Sequence, residues 1–179
     1  MLPGLKKYQL NSDWNRHFMR QDDQKRMGTD PIIRKILLLT RDPRGLASSN
    51  KLAGIRKNVP RSVSSKIPVY IEFAQRALRL LESHSLVLLL RYEDLCANPS
   101  GTIRKVCNFL GVTYNESMLQ FKEDRGHVLK GNRMIFDERN TISEDTSWID
   151  ILTSNEIFSL VENQQLISLY QKLGYKLTN

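Results

Sequence analysis

The segment Lys35–Ser49, with the sequence KILLLTRDPRGLASS, joins a short apolar run to a basic turn. Residues Ile36–Thr40 are apolar or β-branched without polar alternation, which predicts a parallel strand covered on both faces. The turn contains proline and glycine, and the residues after it can open a helix. Ligands of open α/β sheets bind at the carboxyl ends of strands, beside helix N-termini. Two arginines and two serines at this place therefore predict a phosphate-type ligand.

A second apolar run, Ser85–Arg91, predicts another buried strand, which ends in Tyr92–Leu95. Apolar spacing and capping residues predict helices over residues 69–83, from Asn98 to a stop at Gly111, near residues 116–122, and over residues 154–173. Alternating strands and helices predict an α/β fold, with a parallel sheet flanked by helices. Two strands are fewer than the roughly four to six of most sheets. We therefore expect a single domain, residues 1–179, with an incomplete sheet. The chain either takes further strands from its weakly patterned first residues, 1–31, or is the later part of a larger fold.

The charge of the chain is concentrated in its first half. Of a net charge of +8, residues 1–90 hold 17 Lys and Arg against 7 Asp and Glu, whereas residues 91–179 hold 10 against 12. This excess favours an anionic partner such as a nucleotide, an acidic glycan or nucleic acid, and a solvated basic surface is the alternative. Neither the two cysteines nor the three scattered histidines have the spacing of a metal site, and we predict none.

Three groups of residues, in a fixed order, resemble motifs of the sulfotransferases. They are Arg41-Asp42-Pro43-Arg44 with Ser49, then Leu90-Arg91-Tyr92-Glu93-Asp94-Leu95 with Pro99 and Phe109-Leu110-Gly111, and finally Lys130-Gly131-Asn132-Arg133 with Leu173-Gly174-Tyr175. The likeness runs from about Ile36 to Tyr175 and is greatest to the carbohydrate sulfotransferases. It implies a P-loop NTPase-like parallel sheet flanked by helices.

The resemblance also implies a donor substrate, 3′-phosphoadenosine 5′-phosphosulfate, and no metal. Arg41 and Ser49 match the family residues that bind the 3′-phosphate, a dianion suited to a planar guanidinium and a hydroxyl donor. Tyr92 matches a tyrosine that lies near the adenine. The late basic segment, which in the family closes over the same phosphate, consists of Lys130, Gly131, Asn132 and Arg133.

Several polar residues of these motifs have a structural alternative. Arg41 could form an ion pair with Glu93 or Asp94, and Arg44 could face solvent or pair with Asp42. Glu93 and Asp94 look like an acid–base pair, but in the family this pair orders the end of the strand and the following helix. The pattern G-x-x-x-x-G at residues 126–131 is not a Walker loop, because Asn-Arg replaces the Lys-Ser/Thr pair and no buried strand precedes it.

One feature of the sulfotransferases finds no match in residues 1–35. It is the strand and the glycine-containing basic loop that bind the 5′-phosphosulfate. We therefore expect a truncated form that cannot turn over the donor alone, and the catalytic base stays unassigned.

The resemblance implies transfer of a sulfonate to a hydroxyl of a carbohydrate acceptor. Relatives act in the Golgi lumen behind a membrane anchor that this sequence lacks, and a chain complete as given would be cytoplasmic. A non-catalytic module that binds a nucleotide or a sulfated glycan is the alternative. Binding of nucleic acid through residues 34–66 is less favoured, because that stretch lacks interleaved aromatic residues.

Overall fold

Two parallel strands organise the fold in the computed structural model, which describes residues 35–83, 85–120 and 142–177. Strand β1 is Ile36–Thr40 and strand β2 is Val87–Arg91. They pair in parallel, with Ile36 opposite Val87 and Thr40 opposite Arg91. Their carboxyl ends therefore lie at the same edge of the sheet. The predicted α/β fold with a parallel sheet flanked by helices is confirmed.

Helices connect and follow the two strands. In chain order the described helices are α1 (Pro43–Arg56), α2 (Ile67–Ser83), α3 (Tyr92–Ala97), α4 (Pro99–Leu110), α5 (Trp148–Ile151), α6 (Ser154–Val161) and α7 (Gln164–Lys172). Single 3-10 turns occupy Ser64–Lys66 and Glu116–Leu119. The latter is all that the described residues show of the helix predicted near residues 116–122. Helix α4 ends as predicted at Gly111, whose φ of 77° is in the left-handed region that glycine adopts without strain.

The two faces of β1 differ in burial. Leu38 is 6% exposed and Thr40 is 2% exposed, whereas Leu37 and Leu39 are 42% and 53% exposed. Successive side chains of a strand point to opposite faces. The prediction that β1 is covered on both faces is therefore wrong for the part of the chain that the structure describes, where Leu37 and Leu39 of the second face are exposed. The residues of β2 are all half-buried.

The core lies where α2 packs against α7. Ala74 and Ala77 of α2 are fully buried, as are Leu166 and Tyr170 of α7. The two alanines have no side chain beyond Cβ, so they let the neighbouring helix approach closely and make room for the large tyrosine ring. Tyr170 also packs on Tyr175, with ring centroids 5.5 Å apart. This packing holds the C-terminal segment against the sheet side that carries Thr40, since Tyr175 Oη lies 2.9 Å from Thr40 Oγ1.

The helix predicted over residues 154–173 is two helices. Thr153 and Glu156 form a capping box at the start of α6. A second cap follows at Asn163, whose side chain accepts a hydrogen bond from Leu166 N at 2.9 Å and starts α7. The apolar spacing continues across the break between α6 and α7, so the spacing alone predicted one helix. Asn163, a typical N-cap residue, was the sequence signal for the break.

Tyr92–Leu95, predicted as the end of the second strand, is helical and opens α3. The described residues lie in one compact unit, Lys35–Asn179, and no helix among them is long and apolar enough to cross a membrane. The weakly patterned segment 1–31 lies outside the described residues, and the prediction of a single domain over the whole chain stays a prediction.

The uneven burial of β1 predicts different costs for the same substitution at adjacent leucines. Leu38→Ala should lower the free energy of unfolding by about 2–5 kcal/mol, because it leaves a cavity in the core. Leu39→Ala should lower it by less than about 1 kcal/mol, because about half of that side chain is already in water. Urea denaturation of both variants measures the difference. Equal losses would mean that both faces of β1 are covered.

Candidate functional site

Arg41 and Tyr92 meet at the edge of the sheet where both strands end. Arg41 follows β1 directly and Tyr92 follows β2, and the register places the ends of the two strands side by side. The Arg41 guanidinium carbon lies 4.6 Å from the centroid of the Tyr92 ring, a cation–π contact. The two predicted site residues are thus brought together by the parallel pairing of their strands.

The turn between β1 and α1 is built around Asp42. Its carboxylate accepts a hydrogen bond from Arg44 N at 2.7 Å and so caps α1. Pro43 then fits the first turn of the helix, where its missing N–H costs nothing. This hydrogen bond uses the N–H of Arg44, one of the unpaired N–H groups at the N-terminus of α1 where an anionic ligand was predicted to bind.

Gly45 leaves room for the close approach of Arg41 to α1. A Cβ at position 45 would lie 2.5 Å from Arg41 Nε, and a contact that short would displace the guanidinium. The glycine of the basic turn therefore gives the arginine side chain its place along α1.

Ser49 rather than Ser48 lies beside the arginine. Arg41 Nη1 donates a hydrogen bond to Ser49 Oγ at 3.3 Å, across the first two turns of α1. Ser48 is fully buried and donates to Gly45 O at 3.1 Å, so its hydroxyl serves the helix. The geometry agrees with the choice of Arg41 and Ser49 from the motif, while their role in donor binding stays a prediction.

Arg44 takes the second of its two alternatives. Its Nη2 lies 2.8 Å from Asp42 Oδ2 in an ion pair, and its guanidinium lies 4.4 Å from the ring of Trp148. These contacts join the turn after β1 to helix α5.

The acidic pair after β2 is structural in this arrangement. Glu93 Oε1 accepts a hydrogen bond from Asp42 N at 2.9 Å, which ties the turn after β1 to α3. Asp94 pairs with Arg91, and this hydrogen bond holds the pKa of the Asp94 carboxyl below its ordinary value. The alternative ion pair of Arg41 with Glu93 or Asp94 is not formed.

The partner of Arg41 is Asp145, a residue that the sequence did not single out. Arg41 Nη2 donates to Asp145 Oδ2 at 3.1 Å and to the Asp145 carbonyl oxygen at 3.2 Å. Asp145 Oδ1 in turn accepts from Ser147 N at 3.1 Å. The sequence offered one weak signal, an aspartate two residues before a serine at the start of a helix, which is a common local turn. A pairing across 104 positions has no local signal.

Tyr92 holds the backbone on either side of Glu144. Its hydroxyl donates to Ser143 O at 3.2 Å and accepts from Asp145 N at 3.0 Å. Burial raises the pKa of Tyr92 to about 12, aided by the nearby Cys96 thiol. The phenol therefore stays protonated at neutral pH and acts as a donor rather than as a base.

Two opposing effects act on the Asp145 carboxyl. Burial raises its pKa, while hydrogen bonds from Ser147 and the Arg41 guanidinium lower it, and the net result is a pKa below the ordinary value. The Asp145 carboxylate is therefore ionised at neutral pH and forms an ion pair with Arg41.

The remaining predicted site residues cannot be placed beside Arg41. Lys130, Gly131, Asn132 and Arg133 lie outside the described residues, as do the histidines at positions 17, 84 and 127. Among the side chains that the structure describes, no group of three or more His, Cys, Asp or Glu could hold a metal ion.

Residues 34–116 match the model of the sulfotransferase family, and this range contains Arg41, Ser49 and Tyr92. The resemblance to sulfotransferases is therefore confirmed, while the likeness to the carbohydrate branch stays a prediction. Comparison with curated protein sequences gives no match.

Two solved structures are similar to the chain. A sulfotransferase domain from the curacin biosynthetic pathway has a TM-score of 0.57 and 21% identity, over 80% of this chain and 54% of that one. At this identity the likeness shows the fold. A mouse sulfotransferase complexed with PAP has a TM-score of 0.45 and 16% identity, over 78% of this chain and 63% of that one. The chain thus spans about half the length of the curacin-pathway domain (54%).

The ion pair of Arg41 with Asp145 predicts a pH-dependent contribution to stability. Because the pKa of Asp145 is lowered in the folded state from its ordinary 3.8, the pair stabilises the fold above that value. The contribution is lost as the pH falls through the lower pKa of the folded state. At neutral pH, Asp145→Asn should lower the free energy of unfolding by about 1 kcal/mol.

Urea denaturation from neutral to acid pH measures this effect. The difference between wild type and Asp145→Asn should shrink once the pH is below about 4. Glu144→Gln, at an exposed neighbouring position, removes the same charge and should change stability little. A difference between wild type and Asp145→Asn that stays constant down to acid pH would contradict the ion pair.

Proposed function

We propose that this chain binds the 3′-phosphate of 3′-phosphoadenosine 5′-phosphosulfate through Arg41 and Ser49, as the donor-binding part of a carbohydrate sulfotransferase. The observation that carries the proposal is the convergence of the two side chains, with Arg41 Nη1 and Ser49 Oγ 3.3 Å apart. A further support is that the same guanidinium already binds an anion, the Asp145 carboxylate, at 3.1 Å. A phosphate oxygen offers the same acceptor chemistry with more charge.

The chemistry of the side chains fits a phosphate dianion. A guanidinium is permanently charged and presents several N–H donors in one plane, and the Ser49 hydroxyl adds a donor that can rotate toward a bound oxygen. The Tyr92 ring lies against the face of the guanidinium and fixes its plane. In the proposed complex Tyr92 lies close to the adenine, and Lys130, Gly131, Asn132 and Arg133 add contacts to the phosphate.

In the proposed reaction a sulfonate passes from the mixed anhydride of the donor to an acceptor hydroxyl. The bond between sulfur and the bridging oxygen breaks, a bond from sulfur to the acceptor oxygen forms, and a base takes the acceptor proton. Adenosine 3′,5′-bisphosphate leaves with the bridging oxygen. Arg41 and Ser49 act away from the reacting sulfur, where binding energy orients the donor for attack.

The arginine is tested by calorimetry with adenosine 3′,5′-bisphosphate. Arg41→Ala should weaken binding about 10- to 100-fold, because a hydrogen bond to a charged group contributes about 1.5–3 kcal/mol. Arg41→Lys should recover only part of the loss, since an ammonium lacks the planar fork. Arg104→Ala, which removes an exposed guanidinium paired with Glu116, is the control for the loss of positive charge. Equal affinity of wild type and Arg41→Ala would overturn the proposal.

The two adjacent serines give a matched pair. Ser49→Ala should weaken binding of adenosine 3′,5′-bisphosphate by about tenfold, the lower end for a hydrogen bond to a charged group, with little effect on the melting temperature. Ser48→Ala should lower the melting temperature, because its buried hydroxyl is bonded within α1, and leave affinity unchanged. Weaker binding in Ser48→Ala alone would show that the wrong serine was chosen.

A further inference from the structure

Asp145 lies on the side of Arg41 that a bound phosphate would need. The Nε end of the Arg41 guanidinium is packed against Gly45, where a side chain with a Cβ would come within 2.5 Å of Nε. One face lies against the Tyr92 ring at 4.6 Å. The outer edge is shared by Ser49 Oγ on Nη1 and by the Asp145 carboxylate on Nη2.

In this arrangement a bound phosphate and the Asp145 carboxylate would compete for the same edge of the Arg41 guanidinium. A phosphate bound by both Arg41 and Ser49 would lie at the outer edge, within a few ångströms of Asp145 Oδ2. Two like charges at that separation repel strongly in a site shielded from water, and the side chains of Arg41 and Asp145 are only 16% and 21% exposed.

Asp145 is held in place from several directions. Its backbone N–H donates to Tyr92 Oη at 3.0 Å, and its Oδ1 accepts from Ser147 N at 3.1 Å. The helix that follows is fixed to α1, since Lys51 Nζ donates to Ile151 O at 3.0 Å. A rotation of the Asp145 side chain would break its bonds to Arg41 Nη2 and Ser147 N, while the backbone of Asp145 would keep its bonds to Tyr92 Oη and to Arg41.

We propose that Asp145 is an internal anion that competes with the 3′-phosphate for Arg41 and so lowers the affinity of the site for the nucleotide. The inference rests on the proposed function of Arg41 as the phosphate-binding residue. Asp145 neutralises a shielded guanidinium when no nucleotide is bound, and only a ligand with more charge than a carboxylate displaces it. The reverse role, in which Asp145 orients Arg41 for binding, predicts the opposite sign for its removal.

The test is calorimetry of the full chain with adenosine 3′,5′-bisphosphate and with adenosine 5′-monophosphate. Asp145→Asn keeps an oxygen for Ser147 N, removes the charge and replaces the oxygen that accepts from Arg41 by an amide NH2. It should bind the bisphosphate about fivefold or more tightly than wild type, the upper range for a partly exposed ion pair. Affinity for the monophosphate, which lacks the 3′-phosphate, should stay unchanged. Asp145→Ser, a second variant whose hydroxyl can still accept a hydrogen bond at this turn, should behave in the same way.

The control is Glu144→Gln, which removes the same charge from the exposed neighbouring position and should leave affinity for the bisphosphate unchanged. Unchanged or weaker binding of the bisphosphate by both Asp145 variants would overturn the competition. An equal gain in Glu144→Gln, or an equal gain for the monophosphate, would also overturn it, since the effect would then come from net charge alone.

Failure of the underlying function has a different signature. If wild type and Arg41→Ala bind the bisphosphate equally, Arg41 is not the phosphate-binding residue and both proposals fail. If Arg41→Ala loses binding while Asp145→Asn gains none, the function stands and the competition fails.

Discussion

The Arg41 guanidinium is shielded from water and must be paired or hydrogen-bonded, and this requirement determines the arrangement at the edge of the sheet. Arg41 stands directly after β1, where the strand leaves the core, and its side chain is only 16% exposed. A charge with so little water around it must be paired or hydrogen-bonded. Ser49, Tyr92 and Asp145 meet that need from three different parts of the chain. The function we propose uses the same feature, because a shielded cation that one carboxylate can satisfy can also bind a phosphate.

The second constraint is the coupling between the two strand ends. The Glu93 carboxylate accepts from the backbone of Asp42, and Asp42 caps α1 and pairs with Arg44. These contacts make the turn after β1 and the start of α3 one unit. The acidic pair that looks catalytic in the sequence therefore has a structural task, which is to hold the backbone from which Arg41 projects.

The features predictable from sequence were those with a local cause. The apolar run of Ile36–Thr40 specified β1, and Gly111 specified the end of α4 because only glycine readily adopts that backbone. Arg41 and Ser49 were chosen from the resemblance to sulfotransferase motifs, and their spacing of eight residues is compatible with a contact across a turn and the start of a helix. In the structure Arg41 Nη1 and Ser49 Oγ lie 3.3 Å apart.

The features that were missed depend on contacts between distant parts of the chain. Leu37 and Leu39 are as apolar as Leu38, and only the packed structure reveals that one face of β1 is open. Asp145 lies 104 residues from its partner, and its own surroundings in sequence say nothing of Arg41. The break before Asn163 was hidden by apolar spacing that continues across it.

A crystal structure of the chain with adenosine 3′,5′-bisphosphate would test the central claim most directly. We predict the 3′-phosphate within hydrogen-bonding distance of the Arg41 guanidinium and the Ser49 hydroxyl, with the Asp145 carboxylate moved away from Arg41. A nucleotide bound elsewhere, with the ion pair of Arg41 and Asp145 intact, would contradict it.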